Sequence, residues 1–340
     1  MKRCTRCVLP ETFPGIQFDG NGMCQYCRRT PPPEQRARQR ARLRERFEEL
    51  ADRTRARPGF HALMGWSGGK DSTYTLWLLK ERYGLRVLAF TFDNGFVSPA
   101  AFKNMRVVAE NLKIDHIIVK PPFEMLRKIF VASIRSDMYP LRALERASGV
   151  CNACMSLAKG IGLRMALTRA IPLVVYGWSP GQIPLASAVL RTNRRMLEAF
   201  LETARMPLES VVGKQTAPYF PPERLLKTVE SFPYLVSPLA FIEYTEEEAI
   251  RRIRQLGWES PKDTDPNSTN CLLNGFACRV HQEQMGFHPY VMELAGLVRE
   301  GYMTREEALA RLEEEAAPEV VAAVMAKLRL VPALRGGTYL

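Results

Sequence analysis

The feature that most constrains the fold of this chain is a six-residue turn between a short apolar run at 61–64 and a helix-like pattern at 73–79. Its residues are Ser67, Gly68, Gly69, Lys70, Asp71 and Ser72. Two glycines let the backbone turn sharply and come close to a ligand. The following helix offers unpaired N–H groups and the positive end of its dipole, which favour an anion such as phosphate. The pattern therefore predicts a strand, a phosphate-binding turn and a helix.

The side chains of this turn indicate how an anion would be bound. Ser67 and Ser72 can donate hydroxyl hydrogen bonds, and Lys70 adds positive charge. Asp71 repels phosphate unless a cation lies between them, so we expect Mg²⁺ as the bridge. The spacing differs from that of a Walker-type loop, which has four residues between its first glycine and its Gly-Lys pair. The alternative is an ordinary glycine-rich turn.

These six residues resemble the SGGxDS signature of the PP-loop ATP pyrophosphatase superfamily. The resemblance implies an enzyme that splits ATP into AMP and pyrophosphate while it adenylates a substrate. It also implies that Asp93 and Gly177, at the ends of the second and fourth predicted strands, line the nucleotide pocket. The alternative role for Asp93 is that of a turn residue.

Strands and helices alternate through the middle of the chain, which predicts an α/β fold with a doubly wound, parallel, Rossmann-like sheet. The predicted strands are 61–64, 85–92, 115–119 and 171–176. Helical patterns are predicted at 34–57, 102–112, 157–170, 180–215, 245–256 and 318–328, and a capping box at Thr304 opens one more helix. The proline-rich and aromatic-rich stretch 216–238 is predicted to be an ordered loop.

The chain divides into four predicted segments. Residues 1–30 form a zinc-binding module, and residues 31–58 form a charged helical linker. Residues 59–240 form the nucleotide domain. Residues 241–340 form a mostly helical region that contributes Cys271, and the stretch after residue 287 is expected to be a helical appendage rather than a catalytic unit.

Composition limits the surroundings and the partners of the protein. No apolar run approaches the ~18 residues of a membrane span, and the N-terminus has no signal-peptide core. We therefore expect a soluble, cytoplasmic protein without a membrane partner. The net charge of +12 allows tRNA or another polyanion as a partner, and it is equally compatible with a basic surface that serves ATP binding and solubility. The oligomeric state is left open, a homodimer included.

Four of the eight cysteines lie within the first 27 residues, as two CxxC pairs. They are Cys4, Cys7, Cys24 and Cys27. Two such pairs, sixteen residues apart, fit a tetrahedral zinc site. Because the segment has few apolar residues, the metal is expected to organise its fold. Four thiolates leave no open position, which indicates a structural role. The alternative is four reduced cysteines without a metal.

A second cysteine set combines Cys151 and Cys154, at the start of a predicted helix, with the distant Cys271. A helix start lowers the pKa of a thiol. The layout resembles the iron–sulfur branch of the PP-loop enzymes, which thiolate tRNA or other substrates. The resemblance implies a [4Fe-4S] cluster on three cysteines, with one iron left open to carry the sulfur that attacks an adenylated carbon. Asp263, Asp265 and Asn270 precede Cys271 and are candidates for orienting ligands.

Other interpretations of this set stay open. Cys278 could complete a second zinc site with the other three cysteines. The set could also perform redox or persulfide chemistry without a metal. Cys278 itself is a candidate fourth ligand, a candidate persulfide carrier, or a buried cysteine without a chemical role, and we favour the last.

A second resemblance covers more of the chain. The N-terminal cysteine motif, the turn at 67–72, the stretch 92–95 and the element 299–308 are similar to those of the N-acetyl sugar amidotransferase family. That resemblance implies ATP, ammonia from a glutaminase partner, and conversion of a sugar N-acetyl group to an acetamidino group. A CxxC at 151–154 departs from the pattern of that family and favours sulfur chemistry.

The sequence hypothesis is therefore an ATP-dependent enzyme that adenylates tRNA or a small molecule and then transfers sulfur supplied by a donor. The residues assigned to catalysis are Lys70, Asp71, Cys151, Cys154 and Cys271. The enzyme alternative is the sugar amidotransferase. The alternative outside enzymes is a nucleic-acid-binding protein that senses ATP and metal through its zinc module and its basic arm.

Overall fold

The computed structural model of this protein describes residues 1–135, 137–264 and 267–331. Its centre is a sheet of six strands within these ranges. They are β1 (Ala62–Gly65), β2 (Val87–Phe92), β3 (Asp115–Val119), β4 (Leu173–Tyr176), β5 (Val189–Arg191) and β6 (Tyr234–Val236). In space the order is β3-β2-β1-β4-β6-β5, with β5 antiparallel to β6 and the other neighbours parallel. The expected α/β fold with a doubly wound parallel sheet is confirmed.

Helices cover both faces of the sheet and form most of the two ends of the chain. They are α1 (Gln25–Arg28), α2 (Pro33–Arg55), α3 (Lys70–Trp77), α4 (Pro99–Leu112), α5 (Phe123–Arg135), α6 (Leu141–Leu144), α7 (Gly149–Thr168), α8 (Arg194–Val212), α9 (Glu223–Thr228), α10 (Glu246–Arg254), α11 (Leu273–Met285), α12 (Val291–Glu300), α13 (Arg305–Glu313) and α14 (Pro318–Leu328). A π-helical turn, Leu78–Arg82, continues α3. None of the helices in the described ranges combines the length and the apolarity needed to cross a bilayer.

Three sequence expectations about these elements are wrong. The range 180–215 is helical only from Arg194 onward, because its first part holds a short 3₁₀ turn and β5. The loop expected at 216–238 contains β6. Helix α7 begins at Gly149 rather than at residue 157, so its first turn includes the CxxC motif. Three-residue strands are too short to show a period of two, and the glycines of α7 lower its helix propensity.

Helices pack on both faces of the sheet. Neighbouring side chains of a strand point to opposite faces, so each strand contributes to both cores. In β1, Ala62 and Met64 pack into the core beneath α3 and α4. Leu63, between them, packs with residues of α7 on the other face. Strands β1 and β4 are adjacent, with crossovers leading to opposite faces, so their carboxyl ends form a crevice of the kind in which α/β proteins bind ligands.

The N-terminal cysteine segment packs against the C-terminal helices. A shared buried cluster joins Val8, Leu9 and Phe13 to apolar residues of α12 and α13, among them Leu294 and Leu312. The segment has few apolar residues of its own. Its core is completed by helices that lie almost 300 residues further along the chain.

Candidate functional site

The predicted phosphate turn lies at the carboxyl end of β1 and leads directly into α3. Gly68 has a φ of +80°, a left-handed conformation that favours glycine. Ser67 Oγ and Ser72 Oγ lie 3.0 Å apart, and the Ser72 hydroxyl donates to the Gly69 carbonyl at 3.1 Å. These hydrogen bonds close the turn on itself and place it directly before the first turn of α3.

The other two residues expected at the pocket also lie at strand ends. Gly177 follows β4, and a Cβ atom there would stand 2.7 Å from the Ser72 Cα atom, so only glycine allows the two segments to touch. Asp93 follows β2 and is buried. Its carboxylate accepts a hydrogen bond from the Gly95 N–H at 2.9 Å and pairs with Lys120 at 3.1 Å. Asp93 thus stabilises a turn, and it also lines a cavity beside the crevice.

Lys70 lies at the centre of a charged network on the turn. Its Nζ contacts both Asp71 oxygens, at 3.0 and 3.1 Å, and lies 3.6 Å from a Glu246 oxygen. Tyr244 donates its hydroxyl to Asp71, and Arg311 donates to Glu246 at 2.9 Å. Burial lowers the pKa of Lys70, but Asp71 and Glu246 outweigh that effect and hold the pKa above its ordinary value. Lys70 is therefore a firmly charged ammonium group.

Sequence analysis missed Tyr244, Glu246 and Arg311 as parts of this site. Tyr244 and Glu246 flank Thr245, the N-cap of α10. In the sequence this stretch indicates only the start of a helix with an acidic first turn. Helix α10 packs on α3, which brings that turn to the phosphate loop. The sequence contains no local pattern that joins residue 71 to residue 244.

Glu293 of α12 is a further site residue that sequence analysis missed. Its carboxylate accepts hydrogen bonds from Ser179 Oγ at 2.6 Å and from Gln182 Nε2 at 3.0 Å. Burial raises the pKa of Glu293 to about 7, against the effect of these donors, and the charge of Asp71 adds to the rise. The region expected to be an appendage thus places a carboxyl group beside the nucleotide loop. The sequence feature that could have pointed to Glu293 is a single carboxylate within the apolar first half of α12.

The segment before Cys271 lies over the phosphate turn. Thr269 Oγ1 accepts the backbone N–H of Lys70 at 3.1 Å, and Trp258 donates its indole N–H to the Gly68 carbonyl at 3.0 Å. Asp263 accepts the Ser98 hydroxyl at 2.9 Å and so supports the N-cap of α4, and its role in orienting ligands stays a prediction. Asp265, predicted to share that role, lies outside the described residues.

The four N-terminal thiols are gathered around one point. Their sulfur atoms all lie within 4.8 Å of one another, and all four residues are buried. The Cys4–Cys27 and Cys7–Cys24 distances are 3.8 and 3.7 Å. Zinc–sulfur bonds of about 2.3 Å in a tetrahedron place sulfurs about 3.8 Å apart. Backbone N–H groups of Cys7 and Cys24 point at Cys4 Sγ, so the donor set fits a tetrahedral metal ion.

The second cysteine set is more open. The Asn94 amide donates to Cys154 Sγ at 3.3 Å and to Cys271 Sγ at 3.7 Å, which brings these two thiols together although 117 residues separate them. Cys151 lies one helical turn before Cys154, and Ser148 caps its N–H. Among the described residues, only the N-terminal set reaches the 4.8 Å spacing. A single zinc ion requires that spacing, whereas a cluster that binds each thiolate through a different iron does not.

The expected lowering of the thiol pKa is wrong for Cys154. Burial raises the pKa of its thiol well above the usual range, and Cys271 adds to the rise. A thiolate at this position therefore needs a positively charged ligand, which a metal ion or an iron–sulfur cluster supplies. Cys278 is buried, and the Asn274 amide contacts its sulfur at 3.7 Å, in agreement with the favoured interpretation of a buried cysteine.

Comparisons with known proteins give distant relatives. No protein-family model matches the chain. The uncharacterized protein MJ1599 of Methanocaldococcus jannaschii is 22% identical over 324 residues, which are 94% of this chain and 96% of that protein.

Two solved structures are also similar in part. The U34-tRNA thiolase NcsA from Methanococcus maripaludis, with its [4Fe-4S] cluster, has a TM-score of 0.36 and 16% identity, over 93% of this chain and 90% of that chain. The NMN synthetase from Francisella tularensis has a TM-score of 0.37 and 13% identity, over 90% of this chain and 100% of that chain. At these values neither structure assigns a reaction to this chain.

Proposed function

We propose that this chain is an ATP-dependent adenylating enzyme of the PP-loop type that uses Mg²⁺. The observation that carries the proposal is the phosphate turn, where the start of α3, a charged Lys70 and the two serine hydroxyls lie together at the carboxyl end of β1. A helix N-terminus with such donors stabilises phosphate oxygens. The carboxylates of Asp71 and Glu246 supply the oxygen ligands that Mg²⁺ prefers.

The proposed first step is attack of a substrate oxygen on the α-phosphorus of ATP. A new oxygen–phosphorus bond forms, the bond from the α-phosphorus to the bridging oxygen breaks, and pyrophosphate leaves with the electron pair. Lys70 and the first N–H groups of α3 stabilise the negative charge that develops on the phosphate oxygens. In this structure the Lys70 N–H donates to the Thr269 hydroxyl oxygen. In the proposed step a phosphate oxygen replaces Thr269 as the acceptor of that N–H.

For the second step we propose that sulfide-level sulfur from the donor forms a bond to the adenylated carbon. The bond from that carbon to the oxygen of the AMP phosphate breaks, and AMP leaves with the electron pair. Cys151, Cys154 and Cys271 are the residues that would hold a [4Fe-4S] cluster, because two of the thiols meet at Asn94 and the third lies one turn away. Such a cluster on three cysteines supplies an iron without a protein ligand, which offers a binding position for sulfur. Asn94 donates to two of the sulfurs and so orients them.

The substrate is tRNA or a smaller molecule such as a sugar, and a separate donor supplies the sulfur. The net charge of +12 favours an anionic substrate. A homodimer and a cytoplasmic location stay predictions from the sequence.

A second candidate function is amidation of an N-acetyl sugar with ammonia from a glutaminase. One observation favours it: the 299–308 element, which carries part of that resemblance, lies directly on the N-terminal cysteines. Arg305 donates to the carbonyls of Cys4 and Cys7 at 3.4 and 3.2 Å, and Arg299 contacts Cys7 Sγ at 3.9 Å. Two of the four resembling motifs therefore pack directly against each other.

The proposed adenylation is tested by the substitution Lys70→Ala. We expect release of pyrophosphate from Mg-ATP, with a pool of cellular tRNA or N-acetyl sugars as substrate, to fall by about 10²–10³-fold, because a donor to the reacting phosphate is lost. Lys128→Ala, which removes an exposed lysine of α5, is the matched control and should release pyrophosphate like the wild type. Equal rates for Lys70→Ala and the wild type would remove the basis for the proposal.

A further inference from the structure

A basic cavity of about 780 Å³ opens beside the nucleotide crevice. Four cations and two phenyl rings line it. They are Lys103, Arg106, Lys120, Lys327, Phe102 and Phe123. Asp93 is the single carboxylate among the lining residues, so positive charge dominates. A volume of this size holds a ligand as large as a small metabolite.

Helix α4 separates the basic cavity from the phosphate turn. Ala101 and Met105, four residues apart, face the turn, where the Ala101 carbonyl and the Met105 side chain lie closest to Gly68. Phe102 and Arg106 lie one position further along the helix and line the cavity. Because residues i and i+4 share one face of a helix, the two faces serve two different sites. An anion in the cavity does not occupy the place of the ATP phosphates.

The cavity is also separated from the second cysteine set by one short segment, residues 93–97, which turns at Gly95 (φ of +83°). Its residues alternate: Asp93, Gly95 and Val97 line the cavity, whereas Asn94 between them points to the sulfurs of Cys154 and Cys271. Residues of this one turn therefore contact both sites. A ligand in the cavity thus lies one backbone away from the thiols proposed for sulfur chemistry.

The cations of the cavity differ in how far they are already neutralised. Lys103 pairs with Glu259 at 3.0 Å, and Lys120 pairs with Asp93 at 3.1 Å. Lys327 lies over the Phe123 ring at 5.1 Å, without a carboxylate partner among the described residues. Arg106 is exposed and forms none of the salt bridges in the described part of the chain. Lys327 also donates to the Gly95 carbonyl at 2.5 Å. Arg106 and Lys327 are thus the two cations of the cavity whose charge no carboxylate in the described part of the chain neutralises.

We propose that the basic cavity binds a nucleotide unit of the substrate, with its phosphate on Arg106 and Lys327 and its ring system against Phe102 and Phe123. Cations beside aromatic rings are the combination that holds single nucleotides, and a guanidinium matches phosphate geometry. The proposal rests on the proposed function only in treating the bound nucleotide as the substrate. Its source is either a free nucleotide or an exposed nucleotide of RNA.

The test measures direct binding of two probes, uridine diphosphate and single-stranded hexauridylate, to the full chain by calorimetry. A saturating non-hydrolysable ATP analogue with Mg²⁺ is present, so the phosphate turn is filled. We expect Arg106→Ala to raise the Kd of the bound probe about tenfold and Arg106→Glu to abolish binding. Arg254→Ala, which removes an exposed arginine of α10, is the matched control and should leave the Kd unchanged.

The outcomes separate the alternatives. Binding of uridine diphosphate alone supports a free nucleotide, and binding of hexauridylate alone supports RNA. Absence of binding for both probes overturns the proposal, as does a wild-type Kd in Arg106→Glu or displacement of the probe by the ATP analogue. Lys70→Ala should retain probe binding while it loses pyrophosphate release. The proposal for the cavity and the proposal for adenylation are therefore tested by separate measurements.

Discussion

The two cysteine sets of this protein have similar sequence motifs but different surroundings. The N-terminal set brings four buried sulfurs to within 4.8 Å of one another, beneath helices whose contacts with it are apolar packing and the side chains of Arg299 and Arg305. The second set brings together sulfurs from α7 and from the segment before α11, under the Asn94 amide and next to the phosphate turn. The first geometry fits one ion with no open position, whereas the second set does not reach that spacing among the described residues.

The difference shows that a CxxC motif specifies a site only through what surrounds it. In the first set a second CxxC supplies the other two thiols of a tetrahedral site, so the four cysteines can hold one metal ion without an open position. In the second set the partner of the CxxC is a single cysteine, and the next neighbours are nucleotide-site residues. Packing links the N-terminal cysteine segment to the crevice, since α12 buries Leu294 against that segment and places Glu293 on Ser179 in the loop after β4.

The largest effect is expected from Cys24→Ser. Loss of one thiolate removes the zinc ion, and because metal binding is part of the folding free energy, the free energy of unfolding should drop by about 4 kcal/mol or more. Zinc per chain and the thermal midpoint measure this effect. Cys278→Ser, at a buried cysteine of α11, is the control and should keep its zinc. A Cys24→Ser protein with full zinc and an unchanged thermal midpoint would contradict a structural metal site at the N-terminal cysteines.

The next effect separates Cys271 from Cys278. Cys271→Ala should lower thiolated product by about 100-fold or more, because a cluster ligand is lost, and the N-terminal zinc should stay bound. Cys278→Ala should retain most activity. Product yield and zinc content are measured on the same preparations. If Cys271→Ala formed product at the wild-type rate, the second set would have no part in the reaction.

The smallest effect concerns Glu293. Its pKa is raised to about 7, so the folded state binds a proton that the unfolded state releases near pH 4.5. Stability is therefore lost as pH rises from about 4.5 to about 7. Glu293→Gln keeps the size of the side chain without the titration, and it should flatten this part of the stability curve. Denaturant unfolding at several pH values measures it, and an equally steep curve in both proteins would refute the assignment.

The sequence predicted the features that depend on short-range spacing. The phosphate turn, the four N-terminal cysteines and the alternation of strands and helices each lie within a few tens of residues. The network around Lys70 depends instead on tertiary contacts, because Tyr244, Glu246 and Thr269 lie more than 170 residues away in the chain. Strands β5 and β6 are only three residues long. They are therefore too short for the alternation of apolar and polar residues that identifies a strand in a sequence.

The central claim is that the two cysteine sets bind different groups. Purification without oxygen, followed by measurement of iron, acid-labile sulfide and zinc per chain, tests it most directly. We expect one zinc ion and about four irons with sulfide, together with absorption near ~400 nm from thiolate-bound iron–sulfur. Two zinc ions and no iron would contradict the claim, and ammonia-dependent release of AMP from N-acetyl sugars would then be the next reaction to assay.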